Sequence, residues 1–250
     1  MPLRRSVILT CLCLAAFACE NEPYQYPPLG VISLTNHVSN QTNTYRYRKQ
    51  HIYTYQVTSG ADVWTTMKFT YAFDQLLYIV RDSSAASRTV STFYHDGKTT
   101  KDTTRFEEGA IAKTVSARSV TDDDEGNPIL IYQISWNDDG TTTENGAELV
   151  WEDGNVVKLT TYTIVAGEKT LVKELTIGHD DQSCVYMRDP DYLYTLSFKD
   201  LFWLSKNNPV SFNDGSGDKK YTYWYNKLGY PSNFKNELGT LFGANYTQVR

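Results

Sequence analysis

Histidine is the side chain best suited to acid–base and metal chemistry near neutral pH, and the chain has four: His37, His51, His95 and His179. None lies in HExxH or a comparable ligand spacing. His179-Asp180-Asp181 places three ligand-type side chains in a row, and Asp122-Asp123-Asp124-Glu125-Gly126 is a carboxylate cluster that could hold Ca²⁺. A calcium loop of the EF type needs acids at alternate positions before its glycine and a glutamate further on. This run lacks that register and reads as a solvated acidic turn, so neither a metal nor another cofactor is expected. There is no G-x-S-x-G elbow, phosphate-cradling glycine loop or dinucleotide fingerprint. Glycoside hydrolysis needs two carboxyl groups about 5–10 Å apart, a distance that spacing along the chain does not define. The expected function is non-catalytic, with a hydrolase of unrecognised active site as an alternative.

Aromatic residues give a stronger signal. There are 19 Tyr against 10 Phe, and 29 Thr. In Tyr221-Thr222-Tyr223-Trp224-Tyr225 an extended chain puts Tyr221, Tyr223 and Tyr225 on one face and Trp224 on the other. Such rings are candidate ligand-surface aromatics, because Tyr and Trp form rigid contact anchors with a polar tip. The competing reading is that they fill the core, with Tyr used where a phenol can reach a partner. Asp102-Thr103-Thr104 matches a short O-glycosylation motif of exported Bacteroidota proteins, which makes Thr103 a candidate acceptor.

The elements carrying these residues are strands. Alternation with period two dominates from Tyr45 onward, as in Tyr45-Arg46-Tyr47 and Tyr53-Thr54-Tyr55. A unit of alternating strand, polar turn and second strand recurs, as in Leu149 to Leu159 around Asp153-Gly154 and in Tyr223 to Pro231 around Asn226 to Gly229. Asp-Gly accepts positive φ at low cost, so these are hairpins. Weaker copies centre on Gly97, Gly109 and Gly126, and Pro190, Pro209 and Pro231 belong at strand starts, edges or turns. Ser197 to Ser205 departs from the alternation. Phe198, Leu201, Phe202 and Leu204 sit near helical spacing with Ser197 as a cap, a short helix on the sheet or else a buried strand. The expected fold is all-β, an antiparallel meander of hairpins forming a large twisted or partly rolled sheet with one short helix packed on it.

The first eighteen residues stand apart. Arg4 and Arg5 precede an apolar run from Val7 to Ala18, too short for a spanning helix of about 20 residues. This is an export signal, excluded from the fold. Ala16-Phe17-Ala18-Cys19 resembles a lipobox, in which the Cys is diacylated and becomes the mature N-terminus. The alternative is an ordinary A-x-A cleavage at the same bond, without lipid. Cys11 and Cys13 leave with the signal, and Cys184 reads as a small buried hydrophobe. Without acylation, a Cys19–Cys184 bridge becomes possible. Residues 19–44, with Pro23, Pro27-Pro28 and many Ser, Thr, Asn and Gln, read as a lipid-anchored tether in which Val31-Ile32-Ser33-Leu34 could pair with a sheet edge. Residues 45–250 are then one β-rich domain. The net charge is −5 before the signal's two arginines are removed, and basic clusters are missing, so nucleic acid is not an expected partner.

The lipobox, the acidic Cys19-Glu20-Asn21-Glu22 start and the aromatic hairpins together resemble a lipoprotein family of the Bacteroidota, the domain of unknown function 4595. The most specific stretch runs from Leu201 to Phe234, through Ser205-Lys206-Asn207-Asn208-Pro209-Val210 and the Tyr-x-Tyr-x-Tyr hairpin ending Gly229-Tyr230-Pro231. That hairpin is also distantly similar to the tyrosine–aspartate repeats of secreted shell proteins, with Asn226 in place of the Asp. The resemblance implies an extracytoplasmic β protein held to the outer membrane through Cys19, at its outer face or, as the alternative, at its periplasmic face. It transfers no catalytic residue. A glycan or another envelope protein is the expected partner, and a carbohydrate-binding accessory of a glycan-uptake system is the alternative function.

Overall fold

The computed structural model describes residues 29–48, 51–73, 75–82, 87–185 and 190–248. Seventeen antiparallel strands form one sheet. They are β1 (Leu29–Asn36), β2 (Gln41–Arg48), β3 (His51–Ser59), β4 (Asp62–Ala72), β5 (Gln75–Asp82), β6 (Ser87–Asp96), β7 (Thr99–Glu108), β8 (Ile111–Asp122), β9 (Pro128–Trp136), β10 (Thr142–Glu152), β11 (Asn155–Val165), β12 (Glu168–Ser183), β13 (Asn207–Asn213), β14 (Asp218–Lys220), β15 (Thr222–Tyr225), β16 (Pro231–Lys235) and β17 (Leu241–Gln248). Hairpin chemistry sets the order. In the β10–β11 turn Asp153 and Gly154 have φ of +49° and +76°, the left-handed pair whose twist matches the flanking strands.

Each strand pairs with the next along the chain except β14 and β15, and β17 pairs with β1 (Leu34 opposite Ala244). The ladder therefore runs from β15 through β17, β1 and onward to β14, and its two ends are the halves of one interrupted strand joined at Tyr221. The sheet nearly closes into a barrel. Turns β1–β2, β3–β4, β7–β8, β9–β10, β11–β12, β13–β14 and β16–β17 lie at one rim. Leu29, Gln248 and turns β4–β5, β6–β7, β8–β9, β10–β11 and β15–β16 lie at the other.

The connection from β12 to β13 folds into the barrel. Its described part holds two 3₁₀ segments, Pro190–Tyr194 and Phe198–Leu204. Lys206 N–H donates to Gly154 O at 2.8 Å, and Tyr71 donates to Asp191 at 2.7 Å, which ties the segment across the second rim. Tyr192 meets Tyr45 edge-on at 5.2 Å and Tyr194 meets Phe93 at 4.8 Å. The barrel is thus a cup, floored at the rim where the chain enters. Leu201, Phe202, Trp203 and Leu204 are all buried, each contributing about 1.5–3 kcal/mol of apolar burial.

The short helix expected at Ser197 to Ser205 is present as the 3₁₀ segment Phe198–Leu204, packed on the inner face of the sheet against β11 and β13, although Ser197 makes no capping bond to the backbone. A helix hydrophobic all round belongs in a core, which is what Leu201 to Leu204 spell. One expectation needs correction: β1 and β2 are ladder strands, with Val31 opposite Tyr246 and Thr44 opposite Gln56, so residues 29–44 belong to the folded body rather than to a tether. Alternation of polar side chains still makes a strand when its inward residues are Leu34, Asn43 and Tyr45. Cys19 and residues 1–28 lie outside the described residues.

Candidate binding pocket

Inward-facing residues differ from one side of the cup to the other. Along β6 to β10 they are polar and half-buried, including Ser91, Thr104, Ser116, Gln133 and Asn145. Ser91 and Thr104 share a 2.6 Å hydrogen bond there. Arg118 lies 3.5 Å from Asp102 and over the Tyr194 ring at 5.5 Å. Burial pushes the Asp102 carboxyl up, against the pull of Arg118. On the other side, β1–β3 and β12–β17 face the buried connection with aromatic rings.

Between them lies a cavity of about 430 Å³, within the range of about 300–1,000 Å³ usual for ligand pockets. It sits where the wall lacks a ladder, beside the interrupted strand. Tyr45 and Tyr55 pack at a tilt, ring centres 5.0 Å apart, on one wall. Opposite, Phe202 packs on Phe212 at 4.7 Å and Trp203 on Phe234 at 5.5 Å. Lys173, Lys199, Lys219, Asp200 and Glu237 stand around the opening. Lys219 is held by Asp214, and Asp200 accepts from Ser197, so cations and anions nearly balance. Burial pushes the Tyr55 phenol up to about 12, opposed by Arg81, and raises Tyr221, helped by Glu237 and Asp200. Both phenols stay protonated at physiological pH and remain donors. Asn43 also lines the cavity, and its Oδ1 is buried with no hydrogen-bond partner. A buried acceptor without a donor costs about 1–3 kcal/mol.

The Tyr221–Tyr223–Tyr225 row lies on one face, as alternation required, but that face turns inward, with Tyr221 and Tyr223 half-buried and Tyr225 exposed at the end of the row. Tyr223 and Tyr225 stack at 6.0 Å, and Tyr223 also stacks on Phe234 at 5.5 Å. The phenols close the seam that the backbone leaves open: Tyr223 donates to Pro209 O at 2.7 Å, and Tyr225 to Asp180. Of the three, only Tyr221 reaches the cavity. Trp224 is exposed on the outer face, where Lys235 lies 5.9 Å from its ring. Thr103 is exposed on the outer wall in the middle of β7, opposite Thr92 and Ala117, while its neighbour Asp102 points inward.

The other candidates are held in local hydrogen bonds and ring contacts. In the acidic turn, Asp123 Oδ1 accepts from the Glu125 and Asn127 amides at 2.9 Å, which holds Asp123 below the usual carboxylate range. Among the described residues no three His, Cys, Asp or Glu side chains are grouped to hold a metal ion. His95 bonds Thr100 and Leu76 O, and His51 stacks on Tyr71. His179 Nε2 lies 3.0 Å from Ser205 Oγ, a pairing reminiscent of an activated serine. However, Ser205 is fully buried, accepts from Val156 N–H at 3.0 Å and donates to Phe202 O at 2.7 Å. With its one proton on a carbonyl, the hydroxyl accepts from His179 and is no nucleophile. Cys184 is buried, with its thiol 3.5 Å from Trp203 O.

Sequence reasoning missed Asn43, Tyr55 and the Phe202–Trp203 wall. A signal for Asn43 did exist, since Gln41-Thr42-Asn43-Thr44 extends the alternation of Tyr45-Arg46-Tyr47 by four residues.

Comparison with protein-family models and with curated proteins gives no match. Among solved structures the chain is similar to a porin-like protein from Bacteroides vulgatus ATCC 8482, at 9% identity and a TM-score of 0.48. That likeness covers 88% of this chain and 99% of the other.

Proposed function

We propose that this chain is a lipid-anchored, extracytoplasmic binding module, fastened to the cell envelope through Cys19, whose cup holds a hydroxyl-bearing ligand without breaking bonds in it. The observation that carries this is Asn43 Oδ1. Asn43 lines the aromatic-walled pocket, its buried Oδ1 lacks a donor among the described residues, and an acceptor-only anion would leave it lacking. A saccharide supplies hydroxyl donors for it and apolar ring faces for Tyr45, Tyr55 and Trp203.

The outer wall supports attachment by a tether rather than by immersion. Lys68–Asp82 (3.0 Å), Arg88–Glu107 (2.8 Å), Lys158–Glu174 (2.9 Å) and Lys169–Glu148 (2.6 Å) are ion pairs on strand surfaces. A cation on the lipid face of a spanning barrel costs about 2–4 kcal/mol at the bilayer midplane. A wall with that many charges belongs in water. The acids following Cys19 favour the outer surface of the outer membrane, as in the family the sequence resembles.

The test is a glycan array probed with the chain from residue 20. Binding to a defined saccharide class, weakened about tenfold in Asn43→Ala for the loss of one buried hydrogen bond, is expected. An array without any bound glycan refutes the reading.

A second reading rests on Asp200 and Glu237, two carboxylates at the pocket rim beside Tyr221, since glycoside hydrolysis works through two carboxyl groups. Reducing ends released from the bound saccharide, and lost in both Asp200→Asn and Glu237→Gln, would establish it over simple binding.

A further inference from the structure

We propose that the floored end of the barrel docks on the lipid surface through an apolar patch of Tyr53, Phe73, Leu77, Tyr78 and Tyr94. This rests on the anchoring of Cys19 argued above, and it adds which face of the molecule meets the membrane.

Phe73 starts the argument. It sits at the tip of the β4–β5 turn, completely exposed, with φ of +51°. A bulky residue in the left-handed region is a strained choice where Gly or Asn would be ordinary. Among the described residues nothing covers its ring, which leaves it turned to the surroundings of the molecule. The neighbours form one surface with it. Tyr78 stands opposite Thr70 and Thr92, and Tyr94 is two residues beyond Thr92 on that same outer face. Leu77 is the extra residue of the bulge in β5, and Tyr53 the extra residue of the bulge in β3. All five are exposed. Lys101 stands directly opposite Tyr94 and, among the described residues, has no acidic partner. Tyrosine, phenylalanine and leucine beside a lysine are the residues that settle at a bilayer interface, rings among the headgroups and amine toward anionic lipid.

Chain direction selects the occupant. Val38, Trp64 and Leu238 are also exposed, but they belong to the rim around the cup's mouth. Leu29, paired with Gln248, is at the floored end with Phe73. Cys19 lies ten residues upstream of Leu29, a span of at most about 35 Å even fully extended. An acylated Cys19 therefore holds this end within tether reach of the bilayer, and docking of the Phe73 patch would turn the mouth away from it.

The test uses the acylated chain purified from membranes and bound to phosphatidylethanolamine–phosphatidylglycerol vesicles. An environment-sensitive nitrobenzoxadiazole label is placed through Phe73→Cys, and in a second sample through Leu238→Cys. Cys184 is buried and does not react. On vesicles the label at position 73 is expected to brighten more than about twofold and to shift to the blue, while that at 238 keeps its aqueous emission. A third sample labelled through Leu77→Cys and carrying Tyr94→Glu should lose the brightening yet still sediment with the vesicles. A chain that sediments while position 73 stays water-quenched overturns the docking and leaves the anchor standing. Failure to sediment overturns both.

Discussion

Acid should loosen the seam between β11, β12 and the buried connection, and His179 is the sensor. Its imidazole is folded against Ser205, and burial lowers its pKa from 6.5 to about 4, with Asp180 pulling weakly the other way. Between those values the unfolded chain binds a proton that the folded chain refuses, so stability rises with pH. The contribution is fully present above pH 6.5 and is lost as pH falls through the window toward 4. For a shift of that size, linkage gives about 2 kcal/mol lost between pH 7 and pH 5. His179 is only partly buried, and solvent screening reduces this to about 1 kcal/mol. Asp102, Asp122 and Asp191 have raised pKa values from burial, and they act with the opposite slope at the acid end. Urea unfolding of the native chain and of His179→Gln at pH 7 and pH 5 separates the contributions. Gln keeps a donor for Ser205 and does not titrate, so the difference between the two proteins should shrink by about 1 kcal/mol on acidification. If both proteins lose the same stability over this range, the reasoning about His179 is wrong.

Two further changes probe the wall. A Cβ added at Gly146 overlaps the Tyr162 ring that covers it on the outer face, so Gly146→Ala should lower stability by about 1–3 kcal/mol in urea unfolding, and Tyr162→Ala in the same chain should recover part of it. Tyr223→Phe removes the phenol that meets Pro209 O across the seam. A loss of about 1 kcal/mol is expected, with faster hydrogen exchange in β13 and β15 than elsewhere.

Much of the fold was legible because hairpins are local. The β10–β11 hairpin was readable from Asp153-Gly154 and two alternating strands, and the same logic found the β6–β7, β7–β8, β8–β9 and β15–β16 turns. Closure was not legible. The pairing of Leu34 with Ala244 joins residues 210 apart, and neither strand announces its partner. Residues 29–44 looked like tether because composition was weighed over alternation; a strand with a wet outer face and a partly polar inner one is poor in apolar residues throughout. The Tyr221 to Tyr225 row was placed correctly on one face, but whether that face looks outward depends on barrel curvature, which alternation does not encode. For the pocket, the rings of Phe202 and Trp203 were read as helix, not wall. Alternation through Tyr45 and Tyr47 put Asn43 on their face, but its unmet hydrogen bond shows only in the structure.

The pairing of Leu29 with Gln248 puts the two described ends of the chain side by side on a continuous wall. In such a ring the place where the polypeptide begins is topologically arbitrary: a short glycine link across that junction and a cut in the exposed β9–β10 turn at Asp138 and Asp139 would give a permuted chain with the same strand neighbours. Such a protein would carry its new ends beside the mouth of the cup rather than at its floor, next to the pocket instead of opposite it.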